Sequence, residues 1–130
     1  MKTDLPLSFR RLEYLPPVYT FEQVEFDIAL DPARTIVKSR LELLPGKGFE
    51  PGAPLVLQGQ ELEFVSLRIN GEAHRHFELT PETLTIHSLP NQGRDKCIVE
   101  IISICVPEKN TSLMGLYVSN GNFFTQCEAE

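Results

Sequence analysis

Between residues 24 and 30 apolar and polar positions alternate, with Val24, Phe26, Ile28 and Leu30 on one side and Glu25, Asp27 and Ala29 on the other. A period of two belongs to an extended chain, so this run predicts a β-strand with one face on a core, broken by Asp31-Pro32-Ala33. A second run sets Val37, Leu41 and Leu43 against Lys38, Arg40 and Glu42, the pattern of an antiparallel hairpin partner. Leu55 to Leu57 forms a short strand. Val65, Leu67 and Ile69 alternate up to Asn70-Gly71, the dipeptide best suited to a two-residue type I′ turn. Phe77 and Leu79, then Leu84 and Ile86, flank Thr80-Pro81-Glu82 as two further arms around a turn. Residues 97–106 are apolar on both sides apart from Glu100 and Ser103, as expected of a central strand covered from both faces. Leu116 to Val118 and Phe123 to Cys127 flank Ser119-Asn120-Gly121-Asn122 and close the chain on a return strand.

Ten prolines and eight glycines fall between these runs and leave little uninterrupted length for helix. Six of the ten residues 45–54 are Gly or Pro, which reads as an exposed loop. Turn signals every ~8–12 residues point to the all-β class, an antiparallel β-sandwich or saddle-shaped sheet. With 130 residues the chain has material for one domain, residues 1–130, and shows no internal repeat.

Twelve Lys and Arg against eighteen Asp and Glu give a net charge of −6, which repels phosphate backbones and argues against nucleic-acid or anionic-membrane partners. The longest apolar run, residues 101–106, is far short of the ~20 residues that span a membrane. Residues 1–8 carry an Asp and a Pro where a signal peptide needs an unbroken apolar stretch, so a cytoplasmic location is expected. Cys97, Cys105 and Cys127 are odd in number and lack C-x-x-C spacing; reduced thiols are the expectation.

His74 and His76 are two apart, which on a strand puts both imidazoles on one face and lets them share a metal. No acidic or thiol ligand stands at a convincing spacing nearby, so a solvated hairpin arm is the better reading, and His87 has the same one. The sequence contains no H-E-x-x-H, G-x-S-x-G, P-loop or G-x-G-x-x-G, and no catalytic residue or metal ligand is assigned. In residues 122–130 alternation puts Gln126, Glu128 and Glu130 on one side of an extended strand. These are solvent-facing positions of an edge strand, or else an acidic stripe that receives an amine through a charge-assisted hydrogen bond.

Asn110-Thr111-Ser112-Leu113-Met114-Gly115-Leu116-Tyr117, then Gly121-Asn122-Phe123 and Thr125-Gln126-Cys127-Glu128-Ala129-Glu130, resemble the stretch near the end of the N-terminal domain of aminopeptidase N, a family of gluzincin-type zinc aminopeptidases. Tyr14-Leu15-Pro16-Pro17-Val18-Tyr19, Pro54-Leu55-Val56-Leu57 and residues 62–71 agree with the family's earlier strands. The resemblance implies a saddle-shaped β-domain that rests, in the complete enzyme, on a thermolysin-like catalytic domain of the same chain. Zinc, the H-E-x-x-H helix with its downstream Glu, and the G-A-M-E-N segment belong to that other domain, so the 130 residues alone are expected to be inactive and to hold no cofactor.

By the same resemblance Glu128 matches the glutamate that contacts the substrate's α-ammonium, and Gln126 the glutamine that lines the pocket for its first side chain. Phe124 stands where relatives often have Cys. The implied partner is a peptide with a free N-terminus. Surfaces meant for the catalytic domain would be bare in the isolated chain and favour self-association. The alternative is a stand-alone β-sandwich interaction module.

Overall fold

The computed structural model of the chain describes residues 14–127, so Glu128, Glu130 and the first thirteen residues lie outside the described region. Ten strands follow one another: β1 Tyr19–Ala29, β2 Thr35–Pro45, β3 Leu55–Gln58, β4 Glu63–Ile69, β5 Glu72–Ala73, β6 Phe77–Leu79, β7 Thr83–Ile86, β8 Cys97–Cys105, β9 Gly115–Ser119 and β10 Asn122–Gln126. Short 3₁₀ turns at Pro90–Gly93 and Pro107–Lys109 are the helical segments among the described residues. Three antiparallel sheets result, in the orders β1-β2-β8-β4-β5, β3-β7-β6 and β9-β10. The all-β antiparallel expectation therefore holds.

The turn between β1 and β2 is closed by its own side chains. Asp31 Oδ1 accepts from the amides of Ala33 (2.8 Å) and Arg34 (3.0 Å), and the Thr35 hydroxyl donates to the Asp31 carbonyl at 2.8 Å. Asp after a strand does this because its short carboxylate reaches amides two and three residues on. Thr35 is wholly buried and its hydroxyl also accepts from the Asp31 amide at 3.1 Å, so the side chain is satisfied in both roles. Asn70 and Gly71 have φ of 51° and 82°, as the type I′ reading of that dipeptide requires.

Register explains which side chains form the core. Directly paired residues share a face, so Ile69, Val99, Leu41 and Val24 make one row across the five-stranded sheet, and Leu67, Ile101, Ser39 and Phe26 the next. Leu41, Leu43, Leu67, Ile69, Cys97 and Val99 on this face pack with Leu55, Leu84 and Ile86 of the three-stranded sheet. This is a two-layer sandwich at one end only.

Two bulges adjust the faces. In β4 the register shifts between Phe64 and Ser66, which brings Phe64 to the core side and leaves Val65 48% exposed. The expected alternation of Val65 with Leu67 and Ile69 is corrected by that extra residue. In β1 the shift between Phe21 and Gln23 puts Phe21 on the same side as Val24 and frees Glu22 to reach Lys96 at 2.8 Å.

The expectation that β1 sets its apolar side on a core is also corrected. Val24, Phe26, Ile28 and Leu30 are 43%, 62%, 50% and 54% exposed. Val24 and Phe26 line an open apolar groove of about 480 Å³ together with Leu57, Leu62 and Leu79. Alternation identified the apolar face correctly, but the small sheet is too short to reach the outer strand.

β8 is central, between β2 and β4, yet only one of its faces meets the second sheet; Ile98 and Ile102 on the other are half-buried among charged neighbours. The loop at residues 45–54 is tied down more than its composition suggests. Gly46 donates to the Val18 carbonyl, Gly48 to that of Pro17 and Gly52 to that of Gln92, while Phe49 packs on Tyr19 with ring centroids 5.6 Å apart.

Candidate functional site

The segment that carries the C-terminal motif is the β9-β10 hairpin. Its turn has Asn120 and Gly121 at φ of 51° and 77°, the left-handed pair that a two-residue type I′ turn needs and that glycine adopts without a Cβ clash. This turn fixes the pairing: Asn122 with Ser119, Phe123 with Val118, Phe124 with Tyr117, Thr125 with Leu116 and Gln126 with Gly115. Asn122, Phe124 and Gln126 consequently share one face with Tyr117 and Gly115.

Phe124 stacks on Tyr117, with ring centroids 5.6 Å apart and 21° between planes. Gln126 is exposed, and opposite it stands Gly115, which presents no side chain. Gln126 and the Tyr117–Phe124 pair thus share one face of the hairpin. Gly115, at φ of 73°, has open space where a Cβ would be.

The approach to this hairpin is organised by one side chain. Asn110 Nδ2 donates to the carbonyls of Met114 (2.6 Å) and Leu116 (2.9 Å), while its Oδ1 accepts from the Ser112 amide (3.2 Å) and hydroxyl (2.7 Å). All three functions of the amide are used, which fixes the turn through Leu113, itself at φ of 60°. Beyond the Pro107–Lys109 turn the hairpin makes few contacts with the rest of the fold. Gln126 is the described member of the expected pair; Glu128, two residues on, lies outside the described residues, and its position relative to Gln126 is not part of this geometry.

The aromatic stack and the Asn110 hub were not assigned from sequence. A signal existed for the first: once Asn120-Gly121 is taken as the turn, counting outward pairs Tyr117 with Phe124.

The histidines come together in a way the sequence did not indicate. His74 and His76 lie outside any strand, with ring centroids 5.8 Å apart, and His74 Nε2 sits 2.7 Å from the His87 carbonyl oxygen and donates to it. His87 Nε2 is 3.8 Å from a Glu78 carboxylate oxygen. Among the described residues no group of three or more His, Cys, Asp or Glu side chains is arranged to hold a metal ion.

Electrostatics are concentrated on the second face of the five-stranded sheet. Glu42 joins Arg40 (3.2 Å) and Lys96 (3.0 Å), and Lys96 also reaches Glu22. The hydrogen bond from Lys96 holds the Glu42 carboxyl below the usual carboxylate range, with Arg40 adding to it, while Glu22 and Glu42 raise Lys96. Burial raises the thiols of Cys97 and Cys105.

No family model matches the chain. Curated relatives do: a protein named aminopeptidase N from Caulobacter vibrioides is 37% identical over 132 residues, covering 100% of this chain and 15% of its own length. Those of the same name from Haemophilus influenzae and Escherichia coli are each 34% identical over 92% and 98% of this chain, and 14% of their own lengths. Among solved structures, the Legionella pneumophila aminopeptidase A complex with aspartic acid superposes with a TM-score of 0.77 at 27% identity over 92% of this chain. An M1 zinc metallopeptidase from Deinococcus radiodurans gives 0.69 at 16% identity, a likeness of fold. The chain spans about one-seventh of the length of the curated relatives it matches.

Proposed function

Because this chain is homologous, over nearly its whole length, to the N-terminal region of aminopeptidase N, we propose that residues 1–130 act as the N-terminal β-domain of a zinc aminopeptidase that removes N-terminal amino acids from peptides. The observation that carries the reading is identity of 34–37% with three proteins of that name, spread along the chain rather than confined to one motif.

In this reading the domain recognises substrate and the cutting is done elsewhere. Gln126 lines the pocket for the first side chain, and Glu128 pairs with the α-ammonium of a free N-terminus. A fixed carboxylate there rejects acylated or internal peptides, because they leave the anion without a partner. One such charge-assisted bond is worth roughly 1.5–3 kcal/mol, about one to two powers of ten in specificity. In this reading zinc is held by the remainder of a longer, cytoplasmic polypeptide, where it would supply an activated water. The open groove beside β1 is the surface against which that remainder packs, and the isolated 130 residues do not hydrolyse peptides.

The test is Glu128→Ala in the longer protein, assayed on aminoacyl chromogenic substrates. A fall of at least tenfold in kcat/KM is expected for free-amine substrates, and an unchanged value removes Glu128 from the site. The reading frame provides a second check: continuation into G-A-M-E-N and H-E-x-x-H supports the enzyme, whereas a stop after Glu130 supports the stand-alone interaction module.

A further inference from the structure

The free edge of the five-stranded sheet shows what it is built to receive. β1 pairs with β2 on one side and, among the described residues, with nothing on the other, leaving the outward-pointing amides and carbonyls of this eleven-residue strand unpaired. Across the charged face the register gives a row of alternating sign: Arg68, Glu100, Arg40, Glu25. The neighbouring row ends in Lys38 on β2 and Asp27 on β1. Opposite charges directly across a ladder stabilise it and like charges oppose it. The next strand beyond Glu25 and Asp27 therefore needs cations at the facing positions. On the other face, Val24 and Phe26 border the apolar groove, so its intervening positions need apolar side chains.

We propose that β1 is extended by a further strand in which Lys or Arg alternates with apolar residues, supplied by the polypeptide beyond these 130 residues. The proposal rests on the reading above that the chain is part of a longer protein, and names the chemistry of the segment that covers it. A second copy of the chain fits poorly. Antiparallel self-pairing of β1 sets its own acidic stripe, Glu25 and Asp27, against itself. Glu25 already shares Arg40 with Glu42, at 4.0 Å and 3.2 Å, and Asp27 has no ion-pair partner among the described residues, so the edge retains unspent negative charge.

The experiment titrates the 130-residue chain with an eleven-residue peptide alternating valine and lysine, and with its valine–glutamate counterpart. Peptide binding is read by fluorescence anisotropy and amide hydrogen exchange at residues 22–29. The lysine peptide is expected to bind at least tenfold tighter and to slow exchange along β1. Glu25→Lys with Asp27→Lys should reverse the order, and the milder Glu25→Gln with Asp27→Asn should erase it. Equal binding of both peptides, no binding by either, or exchange protection produced instead by a dimer in sedimentation overturns the proposal. In the longer protein the β1 amides should already be protected and the added peptide excluded; open amides that still take the peptide would refute a strand from the same polypeptide. None of these readouts depends on peptide hydrolysis, so they can fail while the aminopeptidase reading stands, or succeed while it falls.

Discussion

Phe124 and Tyr117 face each other across the β9-β10 ladder as a stacked pair, two residues before Gln126 on the same face. A two-stranded hairpin is marginal in water by itself, and this one has few contacts with the sandwich, so the pair carries a large share of its order. Cross-strand aromatic pairs contribute about 0.5–1.5 kcal/mol beyond area burial. Phe124→Ala should accelerate amide exchange throughout residues 115–126 while leaving the melting temperature of the sandwich within about a degree. A comparable fall in protection of β2 and β8 would show that the hairpin is not an independent unit.

Thr35 is wholly buried, and its hydroxyl both accepts from and donates to the Asp31 backbone. Thr35→Val keeps the shape and removes both hydrogen bonds to exposed Asp31, at a cost of roughly 1 kcal/mol. Thr35→Ser keeps the hydrogen bonds and should lose less. Urea denaturation of the two variants measures the difference; equal losses would assign the effect to packing alone.

Stability should depend on pH through Glu42 and Lys96. The folded-state pKa of Glu42 lies below its ordinary 4.5, so its contribution is fully present above that value and drains away as pH falls through the lowered one. Lys96 is raised above 10.5, so its contribution is present below that value and is lost as pH rises through the raised one. Glu42→Gln should flatten the acid limb of a melting-temperature profile, and Lys96→Met both limbs. Because these groups lie at the surface, ~1 M salt should shrink both effects. An acid limb unchanged by Glu42→Gln would assign it to other carboxylates.

Cys97 is 2% exposed, and burial raises its thiol, so neither access nor thiolate fraction favours reaction. Iodoacetamide at neutral pH should label exposed Cys127 within minutes and Cys97 only at the rate of global unfolding, as mass spectrometry of digested peptides would report. Labelling of Cys97 at the rate of Cys127 would mean that β8 opens locally.

The strands and turns were legible because they are local. A period of two, Asn-Gly at each I′ turn and Asp after β1 are short-range steric and hydrogen-bonding facts, and Gly71 and Gly121 take the positive φ that those turns require. The two bulges were not legible. Each inserts one residue according to the strand it pairs with, and so Val65 and Phe64 exchange roles for a reason that lies on β8.

What covers each face was decided by the tertiary structure alone. Val24, Phe26 and Ile28 have the same alternation whether a sheet packs on them or, as here, the second layer ends short of them. The approach of His74 to the carbonyl of His87, thirteen residues away, arises from the packing of β7 and has no sequence spacing to announce it. For the candidate site, the sequence determined Gln126 and its place on an alternating strand, since alternation follows from backbone geometry. Only the folded hairpin set Gln126 across from Gly115 and beside the Tyr117–Phe124 stack, because those neighbours come from pairing between strands.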